Sequence, residues 1–525
     1  MTIKKLPIGI QNIEKLITEN YLYIDKTSII HQLITEGTTY FLSRPRRFGK
    51  SLLISTLEAI FKGNKKLFTG LDIENLEWDW QEHPVIRIDF SEIPNKTSDL
   101  LIEGIKDTLE VTATEYGVTI KRKKPIETIL SNLIRELAAQ KRVAILIDEY
   151  DKPILDNINN MELGKEMREI LKGFYTTLKA QDQYLKFVLL TGVSKFSKVG
   201  VFSGLNNLDD ISMDTEFATM LGYTQEELEK YFKQQIDKLA EQNNLTKKEI
   251  LEKIRKWYNG YCFNEDSAKV YNPFSTLLLF KKQKFNNYWF ESGTPTFLLK
   301  LIKQQNYNLS TIDRFEINEL AFSSYEIEKL SILPLLIQTG YLTIKEFYKN
   351  TGLYKLDYPN YEVKNSFFEY LIETYSDVEK FLATNYVNIL IKSLKEEDFE
   401  SFFETLKVFF ANIPYDLQLK KEQYYQTIFY IIFTLIGLQV EAEVRTNKGR
   451  IDAVIVLGSR VVYLFEFKLF GTAEEALDQI KQKEYYQKYS IQDQLKDHNT
   501  PLTLIGVEFS ETERNIGEWC IEKIT

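Results

Sequence analysis

Lys50 and Ser51 close the run Arg44 to Ser51 (RPRRFGKS), where a strand-like stretch gives way to a helical one. A loop that holds a nucleotide's phosphates needs backbone N–H groups wrapped around them, a lysine reaching the β- and γ-phosphates, and a Ser or Thr hydroxyl on Mg²⁺. Gly49, Lys50 and Ser51 supply the second half of the pattern GxxxxGK[ST], at a helix start whose dipole favours anions. Arg44 stands where the first glycine is expected, so on this run alone a basic helix start reads equally well. Arg46 and Arg47 either add phosphate charge in place of the lost glycine geometry or are surface arginines, with the phosphate role slightly favoured.

Two acids further along tip the balance toward nucleotide. Ala144 to Glu149 (AILIDE) is an apolar strand ending in two carboxylates. Asp148 at the strand end can hold the Mg²⁺ already on Ser51, and Glu149 can polarise the attacking water. A lone IDE is commonly a buried strand capped by solvated acids. Together with GKS, and with both motifs at strand ends, it points to ATP or GTP binding. Thr191 closes a later strand (KFVLLTG), where its hydroxyl either contacts the γ-phosphate as a sensor or satisfies turn backbone.

The carboxyl-terminal stretch carries a different chemistry. Asp452 lies near the start of one strand-like run, and Phe465-Glu466-Phe467-Lys468 ends the next across a Gly458-Ser459 turn. Residues two apart on a strand share a face, so Glu466 and Lys468 project together while Phe465 and Phe467 pack oppositely. The turn brings Asp452 beside Glu466. Two carboxylates and a lysine converging at a strand edge make a divalent-metal site with an ammonium to position or stabilise a hydroxide, the equipment for hydrolysing a phosphodiester. A surface Glu-x-Lys ion pair is the plainer alternative, yet the apolar flanks imply a buried strand in which unpaired charge is costly. Glu422, at the start of the preceding helix, is either a helix-surface residue or a further metal-side acid. Gln479, on the following helix, is either a surface residue or a contact to substrate or lysine.

These residues need elements to position them. Short apolar runs at 39–43, 85–90, 143–147 and 186–190 alternate with helical patterns at 50–62 and 126–137, which predicts a parallel α/β sheet. From ~215 to ~415 long charged amphipathic helices such as 224–242 dominate, with few strand signals and breaks at Tyr271-Asn272-Pro273 and Gly293-Thr294-Pro295. The remainder reads α-β-β-β-α-β: a helix over 420–436 ending before Gly437, strands over 438–444, 450–457 and 461–468, a helix over 473–489, and a final strand over 502–509.

At 525 residues the chain suggests about three domains of ~100–200 residues. With 44% hydrophobic and 13% aromatic residues it can bury sizeable cores, which excludes wholesale disorder. Its 12 prolines and 23 glycines are too few for a collagen-like, mucin-like or linker-dominated chain. The net charge of −9 excludes a globally basic nucleic-acid coat but allows a local basic channel. Cys262 and Cys520 match no disulfide or metal framework, as expected in a reducing cytosol, and His31, His83 and His498 are too scattered for zinc. The start MTIKKLPIGIQNIEKL lacks the apolar core of a secretory signal. The longest apolar run, TIFYIIFTLIGL at 427–438, is shorter than the ~20 residues that span a bilayer and reads as a buried helix of a soluble, cytoplasmic protein.

From end to end the chain resembles a bacterial family that joins an AAA-ATPase-like domain to a PD-(D/E)XK-superfamily nuclease domain. The matching pieces include LPIGIQNIEKL (6–16), YLYIDKT (21–27), RPRRFGKSLL (44–53), ILIDEYDKPI (145–154) and TGVSKFS (191–197). They continue through FSGLNNLDDIS (202–212), WYNGY (257–261), VYNPFS (270–275), YWFESGTP (288–295), GRIDAVI (449–455) and YLFEFKL (463–469). The family carries the same glycine-poor RPRRFGKS loop. The resemblance implies a P-loop (ASCE/AAA-like) parallel-sheet ATPase domain over 1–214, a helical lid or winged-helix-like middle over 215–415, and a PD-(D/E)XK nuclease-like α/β domain over 416–525. It further implies the metal and lysine roles of the superfamily's D…ExK core for Asp452, Glu466 and Lys468, and its trailing Q-x-Y element for Gln479 with Tyr485 and Tyr486.

The expected function is an ATP-binding and hydrolysing switch coupled to a nuclease that uses Mg²⁺, or Mn²⁺, on nucleic acid, DNA before RNA. Arg46, Arg47, Gly49, Lys50, Ser51, Asp148 and Thr191 form the nucleotide site, Glu149 acts on the water, and Asp452, Glu466, Lys468, Glu422 and Gln479 form the nuclease site. A defence or toxin-like role follows only by analogy of architecture. The alternatives are a nucleotide-switch signalling or scaffold protein whose inactive nuclease fold is used for binding, and a nuclease with a purely structural nucleotide site. No membrane partner is expected, and homo-oligomerisation stays open.

Overall fold

A computed structural model describes residues 4–195, 205, 207–290, 296–305, 307, 309, 316–322, 332–413, 422–440, 443–446, 451–457, 461–468, 471–482, 502–510 and 512–524. The described chain divides into two compact units, Met1–Gly293 with Glu316–Glu362, and Thr294–Phe315 with Val363–Thr525. The helical middle expected over 215–415 is therefore shared between the two units.

The first unit is built on apolar runs that can be buried on both faces, as parallel strands require. The chain runs α1 (Ile13–Thr18), α2 (Thr27–Glu36), β1 (Thr39–Ser43), α3 (Lys50–Phe61), β2 (Val85–Asp89), α4 (Ser98–Glu115) and α5 (Ile126–Ala138). It continues through β3 (Val143–Asp148), α6 (Lys152–Asp156), α7 (Met161–Ala180), β4 (Leu185–Gly192) and the two-residue β5 (Asp209–Asp210). Every residue of β1 and β3 is buried. All the pairings are parallel, in the order β2-β3-β4-β1-β5. This order decides the site: β4 lies between β1 and β3, so the strand ends at Ser43, Asp148 and Thr191 stand side by side.

The helices that follow are α8 (Gln225–Tyr231), α9 (Lys233–Asn243), α10 (Lys247–Tyr258) and α11 (Pro273–Lys282). The single helix expected over 224–242 is thus two helices. The break falls at Phe232, which is fully buried with its ring stacked 4.7 Å from that of Phe280, a tertiary contact outside the reach of local periodicity. Its start was legible: Thr224 and Glu227 form a capping box.

Beyond α12 (Thr296–Gln304) of the second unit, the first unit adds β6 (Glu316–Ile317), α13 (Ile332–Gln338), β7 (Thr343–Tyr348) and β8 (Leu353–Asp357). These strands form a small antiparallel sheet, order β6-β8-β7, in a region expected to be almost wholly helical. Leu353–Asp357 alternates half-buried and buried residues, but its five residues give too short a period-two signal to stand out.

The second unit contains α14 (Tyr361–Ser376, entering from the first unit), α15 (Lys380–Lys395), α16 (Phe399–Ala411) and α17 (Glu422–Val440). Then come β9 (Glu443–Thr446), β10 (Ile451–Leu457), β11 (Val461–Lys468), α18 (Ala473–Gln482), β12 (Leu502–Ser510) and β13 (Asn515–Ile524). The sheet order is β13-β12-β11-β10-β9, with β11 and β12 parallel and the other neighbours antiparallel. Two expectations are corrected. The helix does not stop before Gly437, and 438–444 is not one strand, because α17 runs to Val440 and β9 begins at Glu443. Phe429 and Phe433 pack on Phe467 and Phe465, with centroids 4.4 and 5.1 Å apart, and burial of this length of helix outweighs the ~1 kcal/mol cost of an internal glycine. Leu502–Ser510 is not the last strand, since β13 pairs along it. Only Ile516 of β13 is buried, so this edge strand lacks the clean alternation by which strands are read.

The turn Gly458-Ser459, the expected helix beyond Gln482, and Tyr485 and Tyr486 lie outside the described residues. Among the described residues no helix is long and apolar enough to cross a membrane, and the 427–438 run lies within α17.

Candidate functional site

In the first unit β1 ends at Ser43, and the chain turns through Arg44–Gly49 into α3. The turn needs two left-handed residues, Arg47 at φ 67° and Gly49 at φ 97°. Lys50 then folds back, and its ammonium donates to the carbonyls of Arg44 (3.0 Å) and Pro45 (3.1 Å). Burial pushes the Lys50 ammonium down from its ordinary value, against the opposing pull of Asp148 and Glu149.

Arg44 explains the missing first glycine. Its side chain is 1% exposed and points away from the loop. It donates to the carbonyls of Ser43, Ser212 and Phe217 and lies 4.0 Å over the Phe263 ring. Burial lowers its pKa to about 9. The arginine thus staples the loop to the segment after β5, a role invisible in the eight-residue motif.

Asp148, at the end of β3, is fully buried. Its Oδ1 accepts from the Thr191 hydroxyl (2.5 Å) and the Glu149 backbone N–H (3.0 Å), while its Oδ2 is buried with no hydrogen-bond partner. A buried carboxylate oxygen left over in this way is of the hard-oxygen kind that suits a cation such as Mg²⁺. Thr191 is itself fully buried and orients Asp148 from β4. Glu149 sits at φ 51°, and burial raises its carboxyl above the usual range against the pull of Lys50. Asp151, unmarked by sequence reasoning, is 1% exposed and accepts from the backbone N–H groups of Val193 and Ser194 and from the Ser194 hydroxyl, locking the end of β4 to the turn after β3. The sequence DEYD shows it as a third acid, but only the fold shows its partners.

Arg46, Arg47, Gly49, Lys50, Ser51 and Glu149 line one cavity of about 360 Å³. Five of the expected nucleotide-site residues and the water-polarising candidate Glu149 are thereby brought together around a space of ligand size, whereas Asp148 and Thr191 do not line it.

In the second unit Asp452 and Glu466 occupy directly opposed positions of β10 and β11. Glu466 is 2% exposed, and its Oε1 accepts from the Gln479 carboxamide of α18. Gln479 is thereby brought against Glu466. The helix can come this close because Gly506 of β12 is the register neighbour of Glu466, and a Cβ there would stand 2.2 Å from the Ala473 carbonyl oxygen. Lys468, half-buried at the end of β11, follows Glu466 by two residues and lies in register with Glu508 of β12. Phe465 and Phe467 face α17, as alternation requires, with their rings stacked 6.1 Å apart. Glu422 opens α17, and the side chains of Glu422 and Asp452 lie outside the described residues. Among the described residues there is no group of three or more His, Cys, Asp or Glu that could hold a metal. The pairing of Asp452 with a buried Glu466 nonetheless provides two carboxylate positions of the hard-oxygen kind that Mg²⁺ and Mn²⁺ prefer.

A glycine-poor phosphate loop on a parallel sheet, and an Asp/Glu-x-Lys strand pair backed by a glutamine helix, define a P-loop ATPase-like and nuclease-like protein. Comparisons with known proteins agree. Residues 7–202 match the family model described as a predicted AAA-ATPase, and residues 420–519 match that of the PD-(D/E)XK nuclease superfamily. The chain is 39% identical over 537 aligned positions, covering 100% of both chains, to an uncharacterized protein in the vnfD 5′ region of Azotobacter chroococcum mcd 1. It belongs to the family of AAA-ATPase-like proteins that carry a C-terminal PD-(D/E)XK nuclease-superfamily domain. No solved structure matches it.

Proposed function

We propose that the protein is an ATP-hydrolysing switch that controls a divalent-metal-dependent nuclease acting on nucleic acid, DNA before RNA, in the cytoplasm. The observation that carries the nuclease reading is Glu466: a carboxylate 2% exposed, opposite Asp452, held by Gln479 and followed by Lys468. A buried carboxylate opposite a second carboxylate position is of the hard-oxygen kind that a divalent ion binds. Asp452 and Glu466 would hold the ion, Gln479 fixes the Glu466 oxygen, and Lys468 offsets charge growing on the phosphate. When bound, the divalent ion supplies a polarised phosphate and a hydroxide at neutral pH. In the first unit Lys50 reaches the β- and γ-phosphates, Ser51 and Asp148 would hold Mg²⁺, Thr191 orients Asp148, and Glu149 polarises water.

The test is nicking of supercoiled plasmid by purified protein with Mg²⁺ or Mn²⁺, with and without ATP. Divalent-dependent nicking that responds to ATP and is lost in Glu466→Ala is the expected result. Wild-type protein that binds DNA but cuts neither DNA nor RNA under any divalent ion would replace this reading with that of a binding module.

A further inference from the structure

We propose that Glu362 is a positioning residue that couples the phosphate loop to the second unit. It holds Trp289 against the Arg46 carbonyl and opens the helix that continues past the first unit. The inference rests on the reading of the protein as a nucleotide switch and names how the state of the Lys50 loop leaves the first unit. Three stretches that the site residues do not absorb, WYNGY, VYNPFS and YWFESGTP, supply the parts.

Glu362 is fully buried in the first turn of α14. Its Oε1 accepts from the Ser275 hydroxyl (3.1 Å) and from the Trp289 backbone N–H (2.8 Å), so one buried carboxylate fixes two donors. The Trp289 indole N–H in turn donates to the Arg46 carbonyl of the phosphate loop (3.2 Å). Ser275 follows Phe274, whose ring centroid lies 5.1 Å from the Arg47 guanidinium, and its own N–H donates to Asn272 (3.1 Å). Phe48, next along the loop, packs edge-on against Tyr261 with centroids 4.8 Å apart. A Cβ on the neighbouring Gly260 would collide with the Pro359 carbonyl oxygen, and the Trp257 ring lies 4.4 Å from that of Tyr361. Arg46, Arg47 and Phe48 thus each bear on a segment that also grips the root of α14. All of these contacts lie within the first unit, and the helix itself reaches the second by passing from Glu362 to Val363. The loop has a reason to differ between states. The Lys50 ammonium donates to the carbonyls of Arg44 and Pro45, and a triphosphate competing for it would release the two carbonyls just ahead of Arg46.

The experiment is hydrogen–deuterium exchange of the full chain without nucleotide and with a non-hydrolysable ATP analogue and Mg²⁺, read at the backbone amides of Val363–Ser376. Exchange there should differ about fivefold or more between the two conditions in wild type, the lower end of a typical coupling between sites. Trp289→Phe keeps an aromatic ring but removes the indole N–H, and it should bind the analogue yet lose that difference. Glu362→Met fills similar space without an acceptor and should lose it too, whereas Glu362→Gln keeps an oxygen for Ser275 and Trp289 and should retain it. Thermal melting and calorimetric binding of the analogue check that each variant is folded and loaded, and if Glu362→Met does not fold, Trp289→Phe decides alone. Folded Trp289→Phe protein that binds the analogue and still responds as wild type does would overturn the relay and leave the switch standing. Folded Trp289→Phe protein that no longer binds the analogue would make Trp289 a support of the loop alone, and the relay would fall. Wild type that binds the analogue with no change anywhere in the second unit would overturn the switch and the relay with it.

Discussion

Lys50 carries a buried ammonium that donates to the loop carbonyls of Arg44 and Pro45, and a triphosphate would offer it a stronger, charged partner. Lys50→Ala should therefore lose ATP affinity. Glu149→Gln keeps the shape and hydrogen-bonding reach of the side chain but removes the charge that polarises water. It should bind ATP normally and hydrolyse it ~10²-fold or more slowly, as measured by phosphate release beside equilibrium binding. In the second unit, Lys468→Ala leaves both carboxylate positions but removes the ammonium. Nuclease turnover should fall ~10²-fold while ATP hydrolysis survives, and a Lys468→Ala protein that cuts like wild type would end its catalytic assignment.

At the scale of elements, the nuclease-like site depends on how closely α18 approaches the sheet. Gly506→Ala would set a methyl 2.2 Å from the Ala473 carbonyl oxygen and 2.7 Å from the Leu477 nitrogen, both backbone atoms that a rotamer change cannot move. The helix must shift, at a cost of ~1–3 kcal/mol in denaturant unfolding, and Gln479 must leave Glu466. Cleavage should fall with it, and an unchanged unfolding midpoint would contradict the close packing. In the first unit, His83 joins α3 to the strands: its N–H donates to the Phe61 carbonyl (2.7 Å), and its ring Nδ1 lies 2.8 Å from the Arg142 carbonyl oxygen. Burial holds its pKa below the ordinary value. The unfolded chain then binds the proton more tightly, so this contribution is complete above pH ~6.5 and is lost as the pH falls below it toward the folded value. Melting at pH 7.5 and pH 5.5 should show a larger acid loss in wild type than in His83→Gln.

For the molecule as a whole, the switch reading requires that nucleotide at the first unit be felt beyond it. Limited proteolysis with no nucleotide, with ADP and with a non-hydrolysable ATP analogue should give different cleavage patterns in the ~215–415 stretch, which both units share. Identical patterns under all three conditions would mean that the two units are only tethered.

The candidate residues were legible because they sit at the ends of continuous apolar strands: GKS after 39–43, IDE closing 143–148, and FEFK closing 461–468 can each be read within a few neighbours. Alternation alone placed Phe465 and Phe467 opposite Glu466. Tertiary structure decided what no window contains. Insertion of β4 between β1 and β3 set Thr191 against Asp148, and Ser212 and Phe217 turned Arg44 from a defective loop position into a staple. Stacking on Phe280 placed the helix break at Phe232, and packing of Phe429 and Phe433 carried α17 through Gly437. A strand's type follows from its own side chains, but a polar group's role follows from its partners. For Arg44 and Asp148 those partners come from segments of chain that only folding brings within hydrogen-bond reach.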